Sequence, residues 1–253
     1  MAGSSFFMLM VGIMVVNAFP APAAAEQRGI KHSAQNCEIL LRAEAQPLAM
    51  VALTLNAECM PNETIVLHHN GLIFSQKTNG KGSVELMVPA LARKAIFVAT
   101  FETGDGALTM IDVPGVDQYH RIALQWHGAK GLQLHAYEAG AQYGSEGHVW
   151  SQSAGGHSFS LLGDSALVDG FHAEVASFPT AAKQTAPLVS IDIEAQVSEK
   201  NCDRNIAGEL IQLMPDKRVK YKSLTLFMPD CSAVGEVVIM RDVVKNFRGS
   251  LVK

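Results

Sequence analysis

The chain has 253 residues, with 20 Lys and Arg against 24 Asp and Glu for a formal charge of −4, and 48% of its residues are hydrophobic. That length and apolar share supply real cores for one large or two ordinary domains. No long basic face is present to neutralise phosphates, which excludes a general nucleic-acid role.

Residues 1–25 contain no Asp, Glu, Lys or Arg, and the apolar run Phe6 to Phe19 leads into a small-residue stretch ending Ala23-Ala24-Ala25. This is the layout of a secretory signal peptide cut near Ala25. The run is shorter than the roughly 20 residues a spanning helix needs. The expectation is therefore export to the periplasm or beyond, a linker over 26–36, and no stable membrane insertion afterwards. In an oxidising compartment the four cysteines read as two local disulfides, Cys37 with Cys59 and Cys202 with Cys231. No pair has the Cys-x-x-Cys spacing of a zinc knuckle.

From Glu38 onward apolar and polar residues alternate. In "MVALTLNA", Val51, Leu53 and Leu55 share one face while Thr54 and Asn56 take the other, as in a half-buried strand. Similar runs predict strands over about 38–45, 64–69, 72–77, 83–88, 95–101 and 107–113. Turn signals at Pro61-Asn62, Asn70-Gly71, Asn79-Gly80 and Gly104-Asp105-Gly106 separate them. Asn70-Gly71 is the signature of a type I′ hairpin. His68 and His69 then lie on one strand with side chains on opposite faces, so they read as ordinary hairpin residues rather than co-ligands of a metal.

After Pro114-Gly115 strands are predicted at Tyr119–Trp126 and Leu132–Glu138. A Gly- and Ser-rich stretch from Ala139 to Gly170 reads as long loops between short strands. Regular alternation returns at Phe171–Phe178, Leu188–Val197, Ile206–Leu213, Ser223–Met228 and Glu236–Met240. The run "DKRVKYK", Asp216 to Lys222, reads as a solvated lead-in to a strand. With no amphipathic helix, the fold class is all-β: two antiparallel sandwiches in tandem, immunoglobulin-like or transthyretin-like, over 37–114 and 115–253.

The stretch "RIALQWHGAKGLQLHAYEAGAQYGSEGHVW" resembles β-sandwich domains of exported bacterial proteins. It shares with them a Trp-ended strand at Trp126, Leu132-x-Leu134-His135, an acidic residue at Glu138, a glycine-rich loop and Gly147-His148-Val149. "ECMPNETIVLHHNGLIF" is similar to the first domain of uncharacterised exported proteins of alphaproteobacteria, some of which carry the label translocase. The resemblance implies fold and export rather than an activity.

Catalytic signatures are missing: there is no His-Glu-x-x-His, no Gly-x-Ser-x-Gly and no phosphate-binding loop. Asp164 and Asp169 flank a loop, and paired acids need a cleft to act as acid and base. Residues 101–199 hold 12 acids against 3 bases and six of the nine histidines. Within them His127, His135, Glu138, His148, His157 and Asp164 form a constellation whose imidazoles and carboxylates suit zinc or copper. The candidate ligands are His127, His135, His148 and His157, with His127 and His135 bordering one hairpin. Two functions follow. The first is a non-catalytic envelope or accessory protein that binds a protein or glycan through sandwich loops. The second is a metal-dependent hydrolase using the middle histidines and acids.

Overall fold

The computed structural model describes residues 26–29, 38–128, 131–153, 158–180, 187–214, 216 and 218–249. The leader, most of the linker, Cys37 and His157 lie outside the described residues. Every described element longer than a short 3-10 turn is a strand, and every pairing is antiparallel, as the alternating pattern predicted. No helix among the described residues is long and apolar enough to cross a membrane.

Four sheets are built. The first contains β2 (Leu40–Gln46), β3 (Met50–Asn56) and β6 (Ser83–Pro89). It faces the second, ordered β1-β8-β7-β4-β5, made of β1 (Glu26–Gly29), β4 (Thr64–His69), β5 (Leu72–Lys77), β7 (Lys94–Phe101) and β8 (Gly106–Asp112). Residues 26–29, expected to be linker, thus add an edge strand beside β8. Val51, Leu53 and Leu55 of β3 meet Leu67, Phe74 and Phe97 in one core because their strands alternate in and out with period two.

The third sheet, ordered β12-β13-β9-β15-β16, contains β9 (Tyr119–His127), β12 (Phe159–Leu162), β13 (Phe171–Pro179), β15 (Asn205–Leu213) and β16 (Val219–Phe227). The fourth, ordered β11-β10-β14-β17, contains β10 (Leu132–Glu138), β11 (His148–Trp150), β14 (Leu188–Gln196) and β17 (Val237–Arg248). The glycine-rich stretch hides β11 and β12, which are only three and four residues long.

β9 is buried on both faces, and this joins the halves of the chain. Ile122, Leu124 and Trp126 point into the core shared with the fourth sheet, whereas Ala123 belongs to the amino-terminal core. Between them Arg121, fully buried, donates to the carbonyls of Ala49, Ala90 and Leu48 and to Ser177 Oγ. Gln125 accepts from the Ile73 amide at 2.8 Å and donates to the Gly71 carbonyl at 3.1 Å. The segment around Pro114 is therefore crossed by a packed, hydrogen-bonded joint. Burial lowers the Arg121 pKa to about 10, still leaving the guanidinium charged at neutral pH and held, among the described residues, by neutral oxygens.

Asn70 (φ 48°) and Gly71 (φ 91°) form the predicted hairpin turn. His68 is exposed and His69 buried, on opposite faces as expected. His69 is nevertheless not an ordinary hairpin residue. It stacks on Phe97 at 4.1 Å, donates from Nδ1 to the Ile96 carbonyl at 3.0 Å, and accepts the Leu91 amide at Nε2 at 2.8 Å. Both ring nitrogens serve backbone groups, so it pins three segments together and no lone pair is left for a metal. Cys202 and Cys231 are joined as expected, tying the β14–β15 turn to the turn after β16. Among the described residues no cysteine is free.

Candidate ligand and metal sites on the carboxy-terminal sheets

Two places concentrate polar chemistry. The first is the outer face of the fourth sheet. Alternation sends Leu134, Ala136, Ile191 and Ile193 inward to the core, and therefore sends His135, Tyr137, Asp192 and Glu194 outward. Register completes the group: His135 sits opposite Trp150 on one side and Asp192 on the other, and Tyr137 opposite His148. His135, His148, Glu194 and Asp192 are all nearly inaccessible, at 2%, 3%, 4% and 5%. The aromatic rings of Tyr137 and Trp150 stack on His148 at 4.3 and 4.5 Å, and the exposed Tyr143 leans over it at 4.8 Å from the β10–β11 loop.

Polar contacts then fix the protons. The Gly144 amide donates to His148 Nδ1 at 2.9 Å, so the neutral ring carries its proton on Nε2. That proton points at His135 Nδ1, 2.8 Å away. His135 must then carry its own proton on Nε2, which is buried with no hydrogen-bond partner among the described residues. Glu194 Oε1 lies 3.4 Å from His135 Nδ1 and accepts from the Tyr137 hydroxyl at 3.2 Å. Burial holds the His135 pKa down to about 4, helped by its neighbour His148. Burial also lowers His148, with Asp192 opposing, and raises Glu194.

Of the four histidines proposed as ligands, His135 and His148 are brought together. His157 lies outside the described residues. His127 is exposed at the end of β9, edge-on to Phe171 at 4.8 Å, and does not approach His135. The expected β9–β10 hairpin is absent because both sides of β9 are already taken by β13 and β15, and both sides of β10 by β11 and β14. Glu138 is half-buried, its amide bonded to the Gly147 carbonyl. The Asp164 carboxylate accepts from the Ala166 amide at 2.8 Å, while Asp169 is exposed, and neither acid belongs to the cluster. Glu194, Asp192 and Tyr137 were overlooked. Their signal was present as polar pairs two apart, His135/Tyr137, His148/Trp150 and Asp192/Glu194, one pair on each of three strands.

The second place is a cleft of about 430 Å³ where β9 leads toward β10 and β14 ends. Its polar walls come from Gln133, Ser151, Gln152, Gln196 and Ser198, and its apolar walls include Trp126 and Leu161. Among the described residues none of its lining is Asp, Glu, Lys or Arg, and His172 is its one histidine. Trp126 is 7% exposed and its indole N–H has no acceptor among the described residues. Buried donors are almost always satisfied, so this one calls for water or a ligand oxygen. A second cavity, about 190 Å³, lies at the joint between the β4–β5 hairpin and β15–β16, against Leu91, Val116 and Leu213. Asn70, Arg93, Asp117 and Tyr221 stand at its walls beside these apolar residues. No family model matches this chain, and no curated protein matches it.

Proposed function

We propose that this chain is an exported, non-catalytic binding protein of the cell envelope that takes a neutral glycan in the cleft at the end of its carboxy-terminal sheets. The observation that carries the reading is the cleft's composition: side-chain amides and hydroxyls, an indole N–H without an acceptor among the described residues, and, among the described lining residues, no carboxylate, Lys or Arg, with His172 Nε2 bonded to the Leu167 carbonyl. A sugar presents hydroxyls that both donate and accept, over an apolar ring face. Such a ligand is matched by Gln and Ser side chains beside Trp126 and Leu161, whereas an ionic ligand would be left without a counter-charge. The volume falls within the range of small-molecule sites.

A protein partner added by strand pairing fits less well. The outer edge strand β17 is bulged against β14, with Asp242 and Asn246 at positive φ, and carries Arg241 and Lys245. Bulges and charges of this kind blunt an edge against further strands. Export rests on the uncharged apolar leader and the Ala-rich stretch ending at Ala25.

Titrating the mature protein with a panel of neutral oligosaccharides, followed calorimetrically, tests the reading. Binding is expected, with Trp126→Phe weakening it about tenfold, the worth of one lost hydrogen bond. Circular dichroism of that variant checks that the fold is kept. No binding at millimolar saccharide, or binding indifferent to both Trp126→Phe and Gln196→Ala, overturns it.

A further inference from the structure

We infer that His135, His148 and Glu194 form a binding site for one divalent first-row transition-metal ion of the zinc class. The inference does not depend on the glycan reading, because it rests on the outer sheet face rather than on the cleft.

Each of the three residues comes from a different strand, β10, β11 and β14, and those strands are adjacent in one sheet. One ligand-type atom from each, two imidazole nitrogens and a carboxylate oxygen, all lie within 4.8 Å of one another. Strand-borne side chains in a fixed register hold such a group without loop ordering. Two imidazoles with one carboxylate are the donor set of zinc and its neighbours, not of magnesium or calcium, which take oxygen ligands. The buried carboxylate of Asp192 adds negative charge beside the cluster, with Arg241 Nη1 as far as 3.8 Å from it.

A hydrogen-bonded cluster without metal is the competing account, and the proton positions weigh it. With His148 protonated on Nε2, His135 Nδ1 has no proton to offer Glu194 Oε1 at 3.4 Å, so two lone pairs face each other. A cation between the nitrogens and the carboxylate turns that repulsion into attraction. Coordination through His148 Nε2 moves its proton to Nδ1 and gives up the Gly144 hydrogen bond. That is one neutral hydrogen bond, weak beside coordination of the ion by two imidazoles and a carboxylate. Uptake therefore changes the tautomer of His148 with no net proton release and shifts the β10–β11 loop that carries Gly144 and Tyr143.

The experiment uses the mature chain, stripped with chelator and titrated with zinc(II) by calorimetry in two buffers of different ionisation enthalpy, with metal content read by mass spectrometry. One equivalent is expected, with no net proton release, because both imidazoles bind as neutral rings. His135→Gln and Glu194→Gln should each weaken it at least a hundredfold, while His127→Gln, an exposed histidine outside the cluster, leaves it unchanged. Cobalt(II) in place of zinc should give a visible absorption band that Glu194→Gln abolishes. Failure of the wild-type chain to take up an equivalent of zinc overturns the inference without reference to any variant. Uptake unchanged in a folded His135→Gln protein overturns it equally.

Discussion

Arg121 Nη1 donates to the carbonyl oxygen of Ala49 at 2.9 Å across 72 residues of chain, inside a joint where the guanidinium has no solvent contact. The same group reaches the carbonyls of Leu48 and Ala90, which belong to the turns leading into β3 and out of β6. Leu48 and Ala49 hold positive φ values of 62° and 53° there, so the fork clamps a turn that ordinary side chains resist. Arg121→Met keeps most of the volume and removes the donor shared by the buried carbonyls of Ala49 and Ala90 and the part-buried carbonyl of Leu48, of which Ala49 still accepts from the Ala90 amide. The expected loss is on the order of 3 kcal/mol, read as a lower urea midpoint. Arg121→Lys should recover little, because a single ammonium lacks the planar fork. A midpoint unchanged in Arg121→Met would show that the joint is held by apolar packing alone.

His69 makes the fold acid-sensitive. Burial holds its pKa at about 4 against an ordinary 6.5, the Ile96 carbonyl opposing and the Arg121 charge adding to the effect. Between those values the unfolded chain binds the proton and the folded chain does not. Stability therefore rises with pH through this window and is lost as pH falls from 6.5 toward 4. His69 alone accounts for on the order of 3 kcal/mol of that change, and His120, lowered to about 4 by the same desolvation, adds to it. Urea midpoints measured from pH 4 to 7 should climb, and His69→Gln should flatten the climb while lowering the plateau. A flat wild-type profile would contradict the assignment.

The hairpin tip gives a comparison between neighbours. A Cβ on Gly71 would require an L residue at φ 91° and would stand 2.8 Å from Tyr221 Cε1, across the joint. Gly71→Val should cost about 2 kcal/mol or more, from positive φ and from the displaced ring. His68→Gln should cost nearly nothing, since that side chain is exposed. His69→Gln should cost as much as the glycine change, because the Ile96 and Leu91 groups lose a shaped partner. Thermal denaturation of the three variants separates them. Equal, small effects would place the hairpin outside the cooperative core.

The strands were legible because most are half-buried and alternate, and Asn70-Gly71 was legible because its chemistry is local. What escaped the sequence is what depends on partners far along the chain. β9 alternates too, but both its faces are buried, so Arg121 and Gln125 lie inside the molecule where alternation alone would place polar residues in solvent. Sequence adjacency also suggested a β9–β10 pair, although the chain there passes from one sheet to another. For the histidine cluster, His135 and His148 were visible as a resource. Glu194 was not, because "SIDIEAQ" reads as an apolar face backed by solvated acids until β10 and β11 are laid beside it. His69 shows the converse, a residue dismissed as incidental that holds two backbone groups.

Glu174 supplies the opposing pH dependence. It lies on β13, fully buried between the third and fourth sheets, with Oε2 accepting the Leu134 amide at 2.6 Å and Oε1 without a partner. Desolvation raises its pKa to about 7, the Leu134 amide and the Ser151 hydroxyl drawing it partway back. An acid whose folded pKa is raised binds its proton more tightly in the folded chain. Its contribution is complete below about 4.5 and is lost as pH rises through about 7. This slope runs against that of His69 and His120 over nearly the same range, so the wild-type profile is a partial cancellation. Glu174→Gln keeps a carbonyl oxygen for the Leu134 amide and removes the titration. It should stand close to wild type at pH 5 and exceed it at pH 8 by on the order of 3 kcal/mol. Urea unfolding of both proteins at the two pH values measures this directly. A stability difference that is the same at pH 5 and pH 8 would mean that the Glu174 carboxyl does not change protonation between them.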